Sequence, residues 1–568
     1  MAVMSVKEIP AKIEKELAKF PPLTKRLLFN RGILDEKDAD EFLNPSYERD
    51  VHDPFLMKDL DKAVARIYQA IKAREKICIY ADYDCDGIPG AVIWNDLFHK
   101  IGYENFQIYI PDRHKEGYGL NPAALQEIYD GGARLLVTLD LGIAAVEGVA
   151  FANTLGLEVI VTDHHLPQET LPPALIIVNP KQPGDTYPDN MLCGSGVAFK
   201  VIQGFLKMYG EEFGVKPGYE KWLLDMVGLA TLADMVPLKK ENRALAHFGL
   251  QVLRKTRRPG LLKLFRHAKI EPQNLQEDDL TFSICPKLNA AGRMDTPMRA
   301  FELLAADESS AGLHADHLTK INDERKLLVA TIMRSVKRTF GKREERSVIV
   351  IGDPSWRAGV LGLVAGKIVD EYKRPAFVWG LEGGTVIKGS CRSDGTVNLV
   401  EMMACLSEGS LLDFGGHSMA GGFSVTHEEI HFLEEKLSNA YEKTKKAIEI
   451  GEEKIVGETV LSLDEVNEKT FNEIDKLAPF GAGNPKPIFE FQNIEIFETK
   501  AFGKAKEHLE LSFKDSRGRP VKAIHFFKKA EDFGDKVAAG KKINLFAHME
   551  KSLFGYRKEI RLRIVEIK

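Results

Sequence analysis

The sequence predicts an α/β protein built on a parallel sheet, and three observations carry that prediction. Short apolar runs ending in acidic residues recur between residues 76 and 163. The segments between them have helix-compatible spacing, and a separate set of short alternating runs closes the chain. Lys76-Ile-Cys-Ile-Tyr80 reads as the first buried strand: short, β-branched and bounded by charge. Asp82, Asp84 and Asp86 crowd its carboxyl end, and Gly87 and Pro89 suit the first turn of a following helix. Arg134–Leu139 reads as a second strand, ending in Asp140-Leu-Gly142. Leu157–Thr162 reads as a third, ending in Asp163-His164-His165. Crossover segments such as Ala144–Leu155 bring these ends to one edge, where open α/β sheets bind ligands.

Three carboxylates this close repel one another unless a cation sits among them. Hard oxygen donors suit Mg²⁺ or Mn²⁺, and the imidazole of His164 suits Mn²⁺ as well. If the third strand persists, period-two alternation turns His165 to the opposite side, toward a substrate phosphate rather than a metal. A fourth acid, Asp234, follows the apolar run Leu229–Ala233. That run fits a buried helix end or a strand, and Asp234 also fits a helix cap before Pro237. A polar loop with an accidental acidic run is the structural alternative for Asp82–Asp86.

A length of 568 residues implies several domains. Hydrophobic content of 44% is ordinary for a globular chain, and no apolar stretch approaches the ~20 residues that span a bilayer. The first 20 residues mix Lys and Glu with short apolar steps, so no export signal, and a cytoplasmic location, are expected. The 6 cysteines form no CxxC pair, which argues against structural zinc and a disulfide framework. The net charge of -5 excludes a uniformly basic coat. Residues Phe491 to Lys568 nevertheless carry 18 Lys+Arg against 11 Asp+Glu, a local hint of a phosphate-backbone partner.

Five regions follow along the chain. Residues 1–50 read as short helices, 51–300 as the α/β unit and 301–346 as a long connecting helix. Residues 347–453 read as a second α/β unit. It has Gly-rich loops at Lys388–Ser393, Gly415–His417 and Gly421–Gly422 that let backbone approach a phosphate. Residues 454–568 hold five alternating runs, at 487–492, 508–513, 521–526, 543–548 and 560–565, which predict an OB-type barrel that binds single strands. Phe554, Tyr556 and Arg557 are its candidate nucleic-acid contacts, whereas Phe513, Phe526 and Phe546 are expected in its core.

The acidic first motif, Asp140-Leu-Gly, Asp163-His-His and Ala233-Asp-Met-Val-Pro-Leu238 together resemble the four motifs of the DHH phosphoesterase family. Leu192-Cys-Gly-Ser-Gly-Val-Ala-Phe199, Leu288-Asn-Ala-Ala-Gly-Arg-Met294, Phe414-Gly-Gly-His-Ser-Met-Ala420 and Pro479-Phe-Gly-Ala-Gly-Asn-Pro485 extend the resemblance over nearly the whole chain. They point to the family's single-strand-specific 5′ exonucleases. The resemblance implies a DHH domain followed by an accessory DHHA1 domain that closes over the cleft. It implies two Mn²⁺ or Mg²⁺ ions, with Asp140 bridging and Asp82, Asp84, Asp86, His164 and Asp234 completing the set. Catalysis would fall to Asp140, Asp163, His164, His165 and Asp234, with Asp163 orienting its neighbours. Arg113, Ser390 and Arg392 would hold the 5′ end, and Arg293 and His417 would touch substrate. The implied activity is 5′→3′ hydrolysis of single-stranded DNA to mononucleotides in repair and recombination, with a helicase or single-strand-binding protein as partner and no membrane. Three positions depart from the pattern: Arg357 replaces a common His, Leu141 follows Asp140 where Asn or Cys is frequent, and Pro89 stands for Thr. A phosphodiesterase for short oligonucleotides or cyclic dinucleotides, and a catalytically silent scaffold, are the competing expectations.

Overall fold

The structure is a computed structural model. It describes residues 8–112, 116–117, 119–340, 346–381, 386–445, 457–503, 506–552 and 559–568. Two compact units emerge. One comprises residues 53–234 and 249–449, and the other comprises 1–52, 235–248 and 450–568.

Among the described residues, the larger unit contains two sheets. Strands β1 (Lys76–Ala81), β2 (Phe106–Tyr109), β3 (Ala133–Leu139), β4 (Glu158–Thr162) and β5 (Ile176–Val178) pair in parallel in the order β2-β1-β3-β4-β5. Their interior residues are apolar and buried, as a sheet covered on both faces requires. The helix Gly87–Lys100 covers one face and packs against the helix Gly194–Tyr209. Gly90 makes this close packing feasible, since a Cβ there would sit 2.7 Å from Leu139 Cδ2. The second sheet, of β6 (Ile349–Gly352), β7 (Ala376–Gly380), β8 (Ile387–Arg392), β9 (Asp413–Gly416) and β10 (Ala420–Val425), has the order β6-β7-β8-β10-β9.

The segments Lys388–Ser393, Gly415–Gly416 and Gly421–Gly422, expected as loops, lie almost wholly in strands of that second sheet. Packing explains the difference. A Cβ on Gly389 would lie 2.1 Å from the ring of its cross-strand partner Phe423, so the glycine makes room for an aromatic rather than for a bend. The expected long helix is present as Ala311–Phe340, but the chain breaks before it. The Asp307 carboxylate accepts bonds from the Ser310 N–H at 2.9 Å and the Ser309 hydroxyl at 2.8 Å, which builds a turn ahead of the helix.

Among the described residues of the other unit, seven strands form one sheet: β11 (Thr459–Val460), β12 (Phe489–Glu495), β13 (Glu498–Phe502), β14 (His508–Lys514), β15 (Pro520–His525), β16 (Lys542–Ser552) and β17 (Glu559–Ile567). Phe489, Phe491, Phe513 and Leu545 form its core, and Leu27 from the N-terminal helices joins the same cluster. Phe513 and Phe546 are buried as expected, whereas Phe526 is only partly so. No helix among the described residues is long and apolar enough to cross a membrane.

Candidate metal centre

The sheet's hydrogen-bond ladder continues one residue past each strand. Asp82 N–H donates to Leu139 O (3.1 Å), Asp140 N–H to Thr162 O (3.0 Å) and Asp163 N–H to Val178 O (3.1 Å). These bonds hold the three acidic loops side by side at the carboxyl edge. Asp234 joins them as the C-cap of the helix Leu224–Ala233, so the apolar run before it is helical.

The ligand atoms converge. Asp82, Asp84 and Asp140 form one group whose oxygens lie within 4.8 Å of one another. Asp86, His164 and Asp234 form a second such group, and Asp140, His164 and His165 a third. His164 Nε2 lies 3.1 Å from Asp140 Oδ1, 3.8 Å from Asp86 Oδ2 and 3.9 Å from Asp234 Oδ2. Asp82, Asp86, Asp140, Asp163 and His164 are all buried.

His165 does not point away from this cluster. Its ring lies 4.5 Å from that of His164, with Nδ1 4.0 Å from Asp140 Oδ1. The strand ends at Thr162, so period-two alternation does not reach residue 165. Asp163 fixes the turn instead: its carboxylate accepts from Ile143 N–H (2.9 Å), His164 N–H (2.7 Å), His165 N–H (3.1 Å) and His165 Nδ1 (2.8 Å). These donors outweigh burial and hold the Asp163 carboxyl below its ordinary range.

The other acids move the opposite way. Burial, reinforced by Asp86, Asp84, Asp82 and Asp163, pushes Asp140 well above the usual carboxylate range. Burial and the charges of Asp86 and Asp84 push Asp234 up to about 8. Burial lowers His164, keeping its imidazole neutral and suited to coordination. Among the described residues, Asp140 Oδ1 and His164 Nδ1 are buried without a hydrogen-bond partner. A cluster with raised acids, a neutral imidazole and an orphaned carboxylate oxygen fits hard divalent cations and is strained without them.

One supporting contact was illegible in the sequence. Gly194 N–H and Ser195 N–H, opening a 16-residue helix, donate to the Asp86 carboxylate at 2.6 and 2.7 Å. That helix start steadies the charge on Asp86 from 108 residues away. Gly194 also faces Asp140, where a Cβ would come within 2.5 Å of the Asp140 Cβ. Asp84 similarly accepts from Asp86 N–H and Gly87 N–H (2.7 and 3.2 Å) and opens the helix Gly87–Lys100.

Arg293, Ser390 and Arg392 gather around the helix Ala358–Tyr372. Arg293 Nη1 donates to Gly359 O at 3.3 Å. A Cβ on Gly362 would meet Arg392 Nη2 at 2.9 Å and Ser390 Oγ at 3.6 Å. The helix Cys285–Met294 that carries Arg293 also touches the acidic loop, since Gly292 faces Tyr83 O. Arg357 is exposed and precedes the helix without a side-chain cap bond. His417 sits exposed in the turn between β9 and β10, outside these groupings. Arg113, Phe554, Tyr556 and Arg557 lie outside the described residues.

On the seven-stranded sheet, a different aromatic group is displayed. Phe502, His508, Phe526 and Phe527 cluster in T-shaped and tilted pairs, with ring separations of 4.9–6.5 Å. The Arg563 guanidinium stands 5.2 Å from the Phe526 ring. Phe527 is 81% exposed and adopts a left-handed backbone (φ 60°), held by its N–H on His508 Nδ1. The signal available in the sequence was the pair Phe526-Phe527 itself.

Models of the DHH family N-terminal domain, the DHHA1 domain and the RecJ OB domain match residues 76–231, 345–449 and 458–566. The single-stranded-DNA-specific exonuclease RecJ of Bacillus subtilis (strain 168) is 34% identical over 550 residues, covering 96% of this chain and 67% of that protein. The protein of the same name from Escherichia coli (strain K12) is 32% identical over 524 residues, covering 89% and 88%. The fold matches a crystal structure of RecJ with Mn²⁺ from Thermus thermophilus, at a TM-score of 0.81 and 24% identity over 99% of this chain and 78% of that one. A structure of exonuclease RecJ bound to manganese matches at a TM-score of 0.60 and 29% identity, over 68% of this chain and 95% of that one.

Proposed function

Because the chain belongs to the RecJ family of DHH phosphoesterases, we propose that it hydrolyses single-stranded DNA from the 5′ end and releases mononucleotides. The observation that carries this reading is the convergence of Asp82, Asp84, Asp86, Asp140, His164 and Asp234 at one sheet edge. Two divalent cations held there, Mn²⁺ or Mg²⁺, would supply Lewis-acid stabilisation and a nucleophilic water for in-line displacement. In this reading Asp140, which belongs to two of the groups, would be shared between the two sites. Asp163 positions His165 and fixes the loop, and Asp86 is steadied by the helix at Gly194.

Arg293, Ser390 and Arg392 bind phosphate oxygens, and Arg113 completes the clamp on the 5′ end. The guanidinium fork suits bidentate phosphate contacts. His417 contributes from the β9–β10 turn. Phe502, Phe526, Phe527 and Arg563, together with Phe554, Tyr556 and Arg557, hold the strand by stacking and charge. This extended surface favours long substrates over dinucleotides. Action in DNA repair and recombination, a cytoplasmic location, and cooperation with a helicase or single-strand-binding protein belong to the same proposal.

The test uses single strands labelled at either end and a blunt duplex, incubated with Mn²⁺. Immediate release of labelled mononucleotide from the 5′-labelled single strand is expected, with the duplex left intact. Release starting at the 3′ end, or preference for a dinucleotide, would contradict the proposal.

A further inference from the structure

Beyond β5, the neighbour of β4 in the sheet, lies Asn179-Pro-Lys181, a turn that none of the acidic motifs includes. Asn179 is fully buried and joins this turn to the metal loop. Its side-chain amide donates to His165 O at 3.0 Å, and its Oδ1 accepts from Lys181 N–H at 2.8 Å. Pro180 fixes the backbone between them. Lys181 is thus placed by the same residues that shape the Asp163-His164-His165 turn.

Lys181 is partly buried, and its ammonium feels the charges of Asp234, Asp163 and His164. Yet no carboxylate of the described residues comes within 4.0 Å of it. A flexible ammonium that feels two acids would ordinarily close an ion pair. Of the two acids that act on it, Asp163 is already engaged by four donors. With divalent cations balancing the remaining carboxylates, Lys181 would be a surplus positive charge.

We infer that Lys181 is a substrate-contacting residue that donates a charge-assisted hydrogen bond to a non-bridging oxygen of the scissile phosphodiester. The inference rests on the phosphodiesterase reading above and extends it to a residue outside the metal set. It differs from a charge-compensating role, in which Lys181 would only offset the acids and would oppose cation binding.

The two roles predict different behaviour of Lys181→Met. A bond of this kind is worth about 1.5–3 kcal/mol, or roughly 10- to 100-fold in kcat/KM on single-stranded DNA. Lys181→Arg, which keeps the charge, should recover most of that loss. Mn²⁺ affinity, read by calorimetric titration, should not fall in Lys181→Met under either role, so an unimpaired affinity shows that the loss does not come from a damaged metal site. Affinity for a phosphorothioate-protected single strand should fall less steeply with salt, by a slope of about 0.7 for one lost phosphate contact. Unchanged kcat/KM in Lys181→Met with an active wild type would overturn the inference and leave the phosphodiesterase reading intact. So would a loss accompanied by weaker Mn²⁺ binding or a lowered Tm. An idle wild-type protein would remove both.

Discussion

Replacing Asp140 by Asn should separate the cost of the acidic cluster from its use. Asp140 has a left-handed backbone (φ 62°), which Asn tolerates and Ala does not. Asn also keeps the shape packed against Gly194. What changes is charge. The oxygens of Asp82, Asp84 and Asp140 lie within 4.8 Å of one another. At an effective dielectric constant of about 20, each ionised pair at that separation repels by roughly 3.5 kcal/mol. Protonation relieves part of this, as the raised Asp140 and Asp234 already indicate, so the net gain on removing one charge is about 1–3 kcal/mol. Metal-free Asp140→Asn should therefore unfold several degrees above metal-free wild type. Mn²⁺ should raise the Tm of wild type strongly and that of the variant little, because binding stabilises only the state that binds. Hydrolysis should collapse by at least a hundredfold. Thermal unfolding with EDTA or Mn²⁺, run beside a single-strand degradation assay, gives all three values. A variant less stable than wild type in EDTA, with its Mn²⁺ response retained, would refute the reasoning.

The remaining predictions rest on separate contacts. Metal-free wild type should lose stability as pH rises from about 4 to 8: the folded state, with Asp234 up at about 8, keeps protons there that the unfolded chain has released. Urea titrations across that range should show the decline, and Mn²⁺ should flatten it. Asp163→Asn weakens the four bonds that shape the His164–His165 turn, so Mn²⁺ affinity should fall about 10- to 100-fold by calorimetry. Gly194→Ala places a methyl 2.6 Å from Asp140 Oδ1 and should abolish hydrolysis while circular dichroism stays native; full activity would mean that this contact is dispensable. Phe527→Ala should weaken single-strand binding by about 5- to 100-fold in fluorescence anisotropy without altering Mn²⁺ affinity.

Much of the larger unit was legible because its signals are local. Three apolar runs each deliver acid at their ends, and parallel pairing with crossover helices leaves those ends adjacent. What escaped depends on contacts distant in sequence or on where a strand stops. Asp86 owes its setting to Gly194 and Ser195, a pairing that no spacing rule reveals. Alternation along the third apolar run sends His165 to the wrong side because the strand stops at Thr162. Asp234 was ambiguous because its apolar run is buried all round, which suits a core helix and a strand equally. In the seven-stranded sheet, β11 has only two residues and β13, Glu498–Phe502, has no buried side chain, so neither shows alternation. Gly389 reads as a loop residue in sequence and serves in the structure as space for Phe423.

Anomalous diffraction at the manganese edge, from crystals of this protein soaked in Mn²⁺, tests the central claim most directly. Two peaks about 3.5–4 Å apart are predicted, with Asp140 between them and Asp82, Asp84, Asp86, His164 and Asp234 around them. Peaks at other side chains, or none within this cluster, would contradict the account.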